Sequence, residues 1–553
     1  MTGKSIKKVL SVLLIVALLA ACGAPAQQGV ATPAGVDDMS SIIRMTQDWP
    51  TFADPARGSL FSDTIALVNI YSPLIWPDLD GNPQPHIATS WTVSDDGLEY
   101  TFTIRDDVIF HSGNRMTAHD VAFSMNRMLT IGEGFSYLWL GIVNNAEAID
   151  DTTVVFTLNS RFGPFVSSLI RFFIVDEAVV RENIDTSVST YGEWGDFATT
   201  WLLTNSAGSG PYRIREFRFD EFVMGERFEE YFQGWEPDAP EFFILSGAVD
   251  PVSVRTAMSN RQLEITDEVQ PIENLDAMGQ MDGVEIVGMR TATNLNMMLH
   301  TRMAPTDCVH FRRAMAYAFD YDTVLNDIVP GSFRAHGPVP SVLPGHDPSI
   351  EGFRRNLDNA RAELEQSIHY GNPDMMNVTL TWCTEVPIQE RIALLFMANM
   401  AEIGIGVEVT GKPFGAMVAD ASSPETTPNV SFVNVSAPFF EAGAMLQTRY
   451  HSSSMGTWEQ MEWLGDPEVD RMIEEALATT DMNERFERYK EIQRIIFDLS
   501  PTIWVFDHFE RRALQASYVE WNPHQFNQQG IEYTYPMGFA MYVRDMRVFP
   551  DRR

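Results

Sequence analysis

Between Ile87 and Met128 the hydrophobic period changes from two to that of a helix. This switch, repeated along the chain, restricts the fold more than any other feature. Trp91 and Val93, the turn Asp95-Asp96-Gly97, and then Leu98, Tyr100, Phe102 and Ile104 alternate with polar neighbours, which predicts a hairpin with one buried face. Thr117 stands three residues before Asp120, ahead of Val121, Phe123, Met125 and Met128. In that arrangement a hydroxyl and a carboxylate each satisfy a free N–H at a helix start. An extended run, Val154 to Leu158, leads to the apolar segment Phe162 to Val175. Gly208-Ser209-Gly210-Pro211 then opens a strand pair over Tyr212 to Phe219 and Phe222 to Phe228, which reads as a return to a sheet after an inserted lobe.

The second half repeats the alternation. Phe311 to Phe319 and Glu390 to Ile403 have helical spacing, while Val378 to Trp382 and Ile405 to Val409 read as strands, the β-α-β order of an α/β lobe. Near the end, Asp466 precedes Pro467, and Asp481 precedes Glu484 by three residues, so both aspartates are expected to cap helices.

A chain of 553 residues has room for about three or four folding units, or for one large protein assembled from several interleaved lobes. Its composition, 45% hydrophobic and 21% charged, excludes a fibrous repeat or a disordered chain. The 39 Lys and Arg stand against 75 Asp and Glu, a net charge of −36; such a field repels phosphates, so no nucleic-acid partner is expected. Beyond the first eight residues the only lysines are Lys412 and Lys490.

Those first residues are an address. Lys4, Lys7 and Lys8 precede the apolar run Val9 to Ala20, too short to span a membrane but suited to an export signal. The run ends in Leu19-Ala20-Ala21-Cys22, which resembles the bacterial lipobox. Residues 1–21 are therefore expected to be removed as a lipoprotein signal peptide, with Cys22 lipidated and residues 22–37 forming a flexible tether. No later uncharged apolar run reaches spanning length, so the body is expected to be extracytoplasmic, held to the membrane by lipid alone. Outside the cytoplasm Cys308 and Cys383 form either a disulfide or two buried thiols.

No sequence signal for catalysis is present. The metalloprotease H-E-x-x-H, the P-loop and the G-x-S-x-G elbow are absent. His111 and His119 lack the spacing and company of a metal site, and neither metal nor cofactor is expected. Aromatic residues are more informative. Trp49, Phe52, Trp382, Phe439 and Phe440 fall where the chain changes direction, positions at which a ring either packs in the core or enters a cleft.

Four stretches, in order, carry a resemblance. "PQPHIATSWTVSDDGLEYTFTIRDDVIFHSGNRMTAHDVAFSMNR", "GSGPYRI", "FRRAMAYAFDYDTVL" and "DPEVDRMIEEA" resemble motifs of the family 5 extracellular solute-binding proteins of ABC importers, the oligopeptide-, dipeptide- and nickel-binding type. The resemblance spans nearly the whole mature chain. It implies an α/β fold of the type II periplasmic-binding-protein kind, with two lobes joined by hinge strands plus an inserted β-rich domain. The implied boundaries are 38–70 with 195–290 and 505–553 for lobe I, 71–194 for the inserted domain, and 291–504 for lobe II.

It also implies a monomer that encloses a small solute between its lobes, hands it to an ABC transporter permease and does no chemistry on it. Peptide binders of the family carry a loop whose first acid meets the peptide amino group. Here that stretch is "FVNVSAPFFEAGAML", without the tryptophan and the first aspartate, and with Glu441 near the second acid. The expected ligand is an oligopeptide or an oligosaccharide, contacted by Trp49, Phe52, Trp382, Asn434, Ser436, Phe439, Phe440 and Glu441. A secreted hydrolase using the same cleft is the alternative.

Overall fold

The computed structural model describes residues 30, 41–47, 50–219, 221–247, 250–531 and 533–553. Residues 1–21, expected to be an export signal, together with Cys22 and Trp49, lie outside the described residues.

Lobe I opens with strand β1 (Ile42–Thr46), buried along its whole length, and helix α1 (Phe61–Ile70). The chain then builds the inserted domain: β2 (Ala88–Val93), β3 (Glu99–Ile104), α2 (Ala118–Ile131), β4 (Val143–Asp150) and β5 (Thr153–Leu158). The strands form an antiparallel sheet in the order β2-β3-β5-β4. The alternation in β3 points Tyr100, Phe102 and Ile104 inward, where Phe102 meets Phe156 edge-on at 5.4 Å and Phe156 meets Phe165 at 5.6 Å. Helix α2 starts where Thr117 and Asp120 cap one another, with the Thr117 N–H donating to the Asp120 carboxylate at 2.8 Å.

The return to lobe I depends on glycine. A Cβ at Gly208 would lie 2.2 Å from the Ile70 carbonyl oxygen, so any side chain there would push the returning segment off the end of α1. Strands β6 (Tyr212–Arg218), β7 (Phe222–Arg227) and β8 (Phe242–Ser246) follow, and β8 lies parallel to β1 in the order β1-β8-β7-β6.

The fifteen-residue strand β9 (Glu285–Leu299) then carries the chain across. Lobe II comprises α3 (Val309–Ala318), β10 (Asn377–Cys383), α4 (Ile388–Ala401), β11 (Gly406–Lys412), β12 (Val430–Ser436), α5 (Ala442–Tyr450), α6 (Pro467–Leu477) and α7 (Met482–Leu499). Asp466 and Asp481 cap α6 and α7 as the sequence predicts. Strand β13 (Thr502–Leu514) returns antiparallel to β9, from Met298 opposite Thr502 to Glu285 opposite Leu514. The far end of this pair sits in the lobe II sheet, in the order β13-β9-β12-β10-β11. At the near end Leu514 bridges Ile265, which bridges Met45 of β1. Two long strands thus belong to both lobes and form the hinge.

The register of β9 against β13 shifts between Arg290 and Asn294. At that place the short strand β14 (Thr534–Tyr535) adds to Arg290 and Thr291. Cys308 and Cys383 are separate buried thiols. No helix among the described residues is long and apolar enough to cross a membrane.

Candidate functional site

Lobe II meets the inserted domain along one seam. The loop after β12 places Phe439 against Phe162 of the inserted domain at 6.5 Å. Phe440 lies where Gly81 (φ +79) leaves no room for a side chain. Gly163 donates its N–H to the Leu477 carbonyl at the end of α6, 2.7 Å away.

Arg171 is the most informative residue of the seam. It is the one charged residue in the apolar run that the sequence shows between Phe162 and Val175, and it is fully buried. Its Nε donates to the Pro438 carbonyl and its Nη1 to the Met537 carbonyl at 2.8 Å. The guanidinium stands over the rings of Phe135 and Phe539 at 5.2 and 5.5 Å. Its Nη2 is buried without a hydrogen-bond partner, and no carboxylate pairs with it among the described residues. Burial pushes its pKa down to about 9. A buried cation without a counter-charge is costly, so this guanidinium is poised for an anionic group.

A second charged group lies across the seam. Glu459 of lobe II is half-buried, and burial pushes its carboxyl up to about 7 against the opposing pull of Arg449. Tyr137 of the inserted domain is held well above the ordinary phenol range, first by burial and then by the charge of Glu459, with Arg171 acting in the other direction. Arg171, Tyr137, Glu459 and Arg449 therefore form one electrostatic chain from the inserted domain into lobe II.

Beneath it Arg449 and Glu462 form an ion pair buried on both sides, and Thr502 of β13 donates to Glu462 at 2.7 Å. Arg449 Nη1 and Glu462 Oε2 of this pair are buried without a hydrogen-bond partner, as are Gln447 Oε1 of α5 and Asn294 Nδ2 and Asn296 Oδ1 of β9. Buried polar atoms are nearly always satisfied by protein, water or a bound molecule. These unpartnered atoms lie on β9, α5 and the segment carrying Glu462.

The residues expected from sequence are placed unevenly. Asn434 and Ser436 face Leu295 and Thr293 of β9 beside the register shift at the hinge, where Asn434 Oδ1 accepts from His508 Nε2 at 3.1 Å and Ser436 pairs with Thr293 at 2.6 Å. Phe439 and Phe440 follow in the same loop but are buried in the seam itself. Phe52 lies in lobe I beneath the Arg57 guanidinium, 4.2 Å from its ring. Trp382 packs over Gly411 on the neighbouring strand.

Glu441 requires a correction. Arg485 holds both its oxygens, at 2.7 and 3.0 Å, and the Tyr489 hydroxyl donates to it at 2.7 Å. Its charge is already compensated inside lobe II, so it is not the free counter-charge that its loop position suggests. The sequence singles out none of Tyr137, Arg171, Arg449 and Glu459, which the structure brings together at the seam. Of these only Arg171 has a sequence signal, its isolation among apolar residues.

The family model described as "Bacterial extracellular solute-binding proteins, family 5 Middle" matches residues 82–457. The chain is 26% identical over 467 residues to the probable D,D-dipeptide-binding periplasmic protein DdpA of Escherichia coli K12, covering 83% of this chain and 86% of that protein. It is 22% identical over 478 residues to the nickel-binding periplasmic protein of the same organism, covering 82% and 87%. Among solved structures, the periplasmic binding protein DppA from Helicobacter pylori in complex with the peptide STSA superposes with a TM-score of 0.78 at 19% identity, covering 93% of this chain and 100% of that one. NikZ from Campylobacter jejuni in complex with Ni(L-His) gives 0.77 at 18% identity, covering 92% and 99%.

Proposed function

Because the chain belongs to the family 5 bacterial extracellular solute-binding proteins, we propose that it captures a small peptide-like solute bearing a carboxylate, in the seam between lobe II and the inserted domain. We assign residues 38–70, 195–290 and 505–553 to lobe I, 71–194 to the inserted domain and 291–504 to lobe II. The single observation that carries the reading is Arg171, whose buried guanidinium has one nitrogen unspent and no carboxylate partner among the described residues. A ligand carboxylate supplies that partner, and Glu459 offers an acid for the positive end of the same molecule.

Closure brings Arg171 and the Pro438 loop together around the guest, so ligand affinity sets the population of the closed form. That form is the one handed to the permease, and the solute leaves unaltered. Lipidation at Cys22 keeps the protein on the outer side of the membrane beside its transporter. The relatives fit this reading, with names that record dipeptides and glutathione. Among alternatives, the hydrogen bonds of His451 to Ser453 and Glu474 follow the order of a hydrolytic triad. The Nδ1 of His451, however, also accepts the backbone N–H of Ser453 as the cap of a short helical turn, which accounts for the contact without catalysis.

The test is calorimetry with a panel of short peptides, each as the free acid and as the C-terminal amide. The acid is expected to bind and the amide to bind at least about tenfold more weakly, since a charge-assisted hydrogen bond is lost. Arg171→Gln is expected to erase the difference. Equal binding of acid and amide to the unmodified protein would end the proposal.

A further inference from the structure

The loop after β12 touches the inserted domain at three consecutive residues. Pro438 gives its carbonyl to Arg171, Phe439 meets Phe162, and Phe440 lies on Gly81. The third contact is the tightest. A Cβ at Gly81 would stand 2.3 Å from Cδ1 and 2.4 Å from Cβ of Phe440, so the phenylalanine rests directly on the glycine backbone, and it is only 7% exposed.

Both sides of this contact are held in place. Gly81 (φ +79) belongs to the turn joining the antiparallel strands Ile75–Pro77 and Pro83–Pro85. There Asp78 Oδ1 accepts the N–H groups of Asp80 and Asn82 at 3.0 and 2.8 Å, and Oδ2 accepts from Gln84 at 3.0 Å. In lobe II, Glu441 beside Phe440 is gripped by Arg485 and Tyr489, and the Ala442 N–H donates to the Pro344 carbonyl at 2.8 Å. A ring fixed at its root meets a turn fixed by its own hydrogen bonds. Parting the two domains therefore has to break the contact.

We propose that Phe440 on Gly81 is a latch, a contact that biases the seam toward its shut form through protein groups alone and is released at each opening. Its part in transport rests on the reading that the seam is where the solute is captured. Opening returns the covered apolar surface to water, which opposes opening with or without a guest. A solute enters and leaves only while the seam is open, so the latch slows both steps, whereas a ligand contact slows departure alone.

The test is hydrogen exchange of the whole protein without ligand, measured by mass spectrometry over the segment containing Gly163. The Gly163 N–H donates to the Leu477 carbonyl across the seam, so its exchange counts openings. Phe440→Ala is expected to speed that exchange at least about tenfold and to leave the amides of β3 unchanged. Gly81→Asn is expected to do the same from the other side, because asparagine tolerates the left-handed turn conformation while its side chain displaces the ring. No peptide is used, so the outcome is independent of what the seam binds, which the calorimetry of acids and amides decides separately. Unchanged exchange at Gly163 in both variants, or equal acceleration at Gly163 and in β3, would overturn the proposal.

Discussion

Arg171, carried by the inserted domain, donates from its Nε to the carbonyl of Pro438 in the loop after β12. One buried cation thus touches lobe II, the C-terminal segment through Met537, and the space between them. Replacing it with methionine keeps the bulk but leaves two buried carbonyls without a donor, at about 1–3 kcal/mol each. Parting the lobes restores water to both carbonyls, so Arg171→Met is expected to shift the ligand-free protein toward an open form. Small-angle scattering would show a larger radius of gyration for the variant. An unchanged scattering curve would mean that Arg171 plays no part in closure.

Glu441 and Arg485 form an ion pair whose side chains are only 4% and 5% exposed. Removing one member of such a pair strands the other charge and costs about 3–5 kcal/mol. Glu441→Gln is therefore expected to lower the urea midpoint markedly and to weaken cationic and neutral ligands alike. The double variant Glu441→Gln with Arg485→Met should regain part of the loss, because no charge is then stranded. A single variant of normal stability that loses only cationic ligands would restore Glu441 as a ligand contact.

The contrast between these two residues shows how far the sequence could be read. The helix starts at Thr117, Asp466 and Asp481, and the inward face of Tyr100, Phe102 and Ile104, depend on neighbours within a few residues, and the structure has each of them in place. The site depends on residues far apart in the chain. Arg485 reaches Glu441 across 44 positions, and Arg171 reaches Pro438 across 267. No local pattern encodes such a meeting, so a loop position alone made Glu441 look free. What the sequence did offer was the cost of one arginine inside an apolar run, a cost that only a specific partner offsets.

Glu459 should leave a pH signature. Its carboxyl is raised from an ordinary 4.5 to about 7 in the folded protein, so between those values the folded state binds the proton more strongly than the unfolded chain. Stability from this group is present at low pH and is lost as pH rises from about 4.5 through 7. Glutamine at 459 removes the titration. The melting temperature of Glu459→Gln relative to the unmodified protein is expected to rise across that window by roughly 2–4 °C or more, measured without ligand. A difference that stays flat from pH 4.5 to 7.5 would place the carboxyl in ordinary solvent.

Gly163 gives a purely steric test of the seam. A Cβ there would lie 2.3 Å from the Thr479 carbonyl oxygen, in the connection between α6 and α7, and 2.6 Å from Nη1 of Arg485 in the first turn of α7. Neither can yield cheaply, because Arg485 Nη1 itself donates to the Thr479 carbonyl at 2.9 Å and the same guanidinium anchors Glu441. Alanine at 163 therefore acts as a wedge between the inserted domain and lobe II. The lobes relieve it by parting, so the cost falls on closure more than on folding. Gly163→Ala is expected to weaken ligand binding by at least about tenfold, equivalent to 1.4 kcal/mol against the closed form, with the ligand-free melting temperature little changed. Loss of stability without loss of affinity would mean that the seam stays shut whether or not a guest is present, and binding by lobe closure would then have to be abandoned.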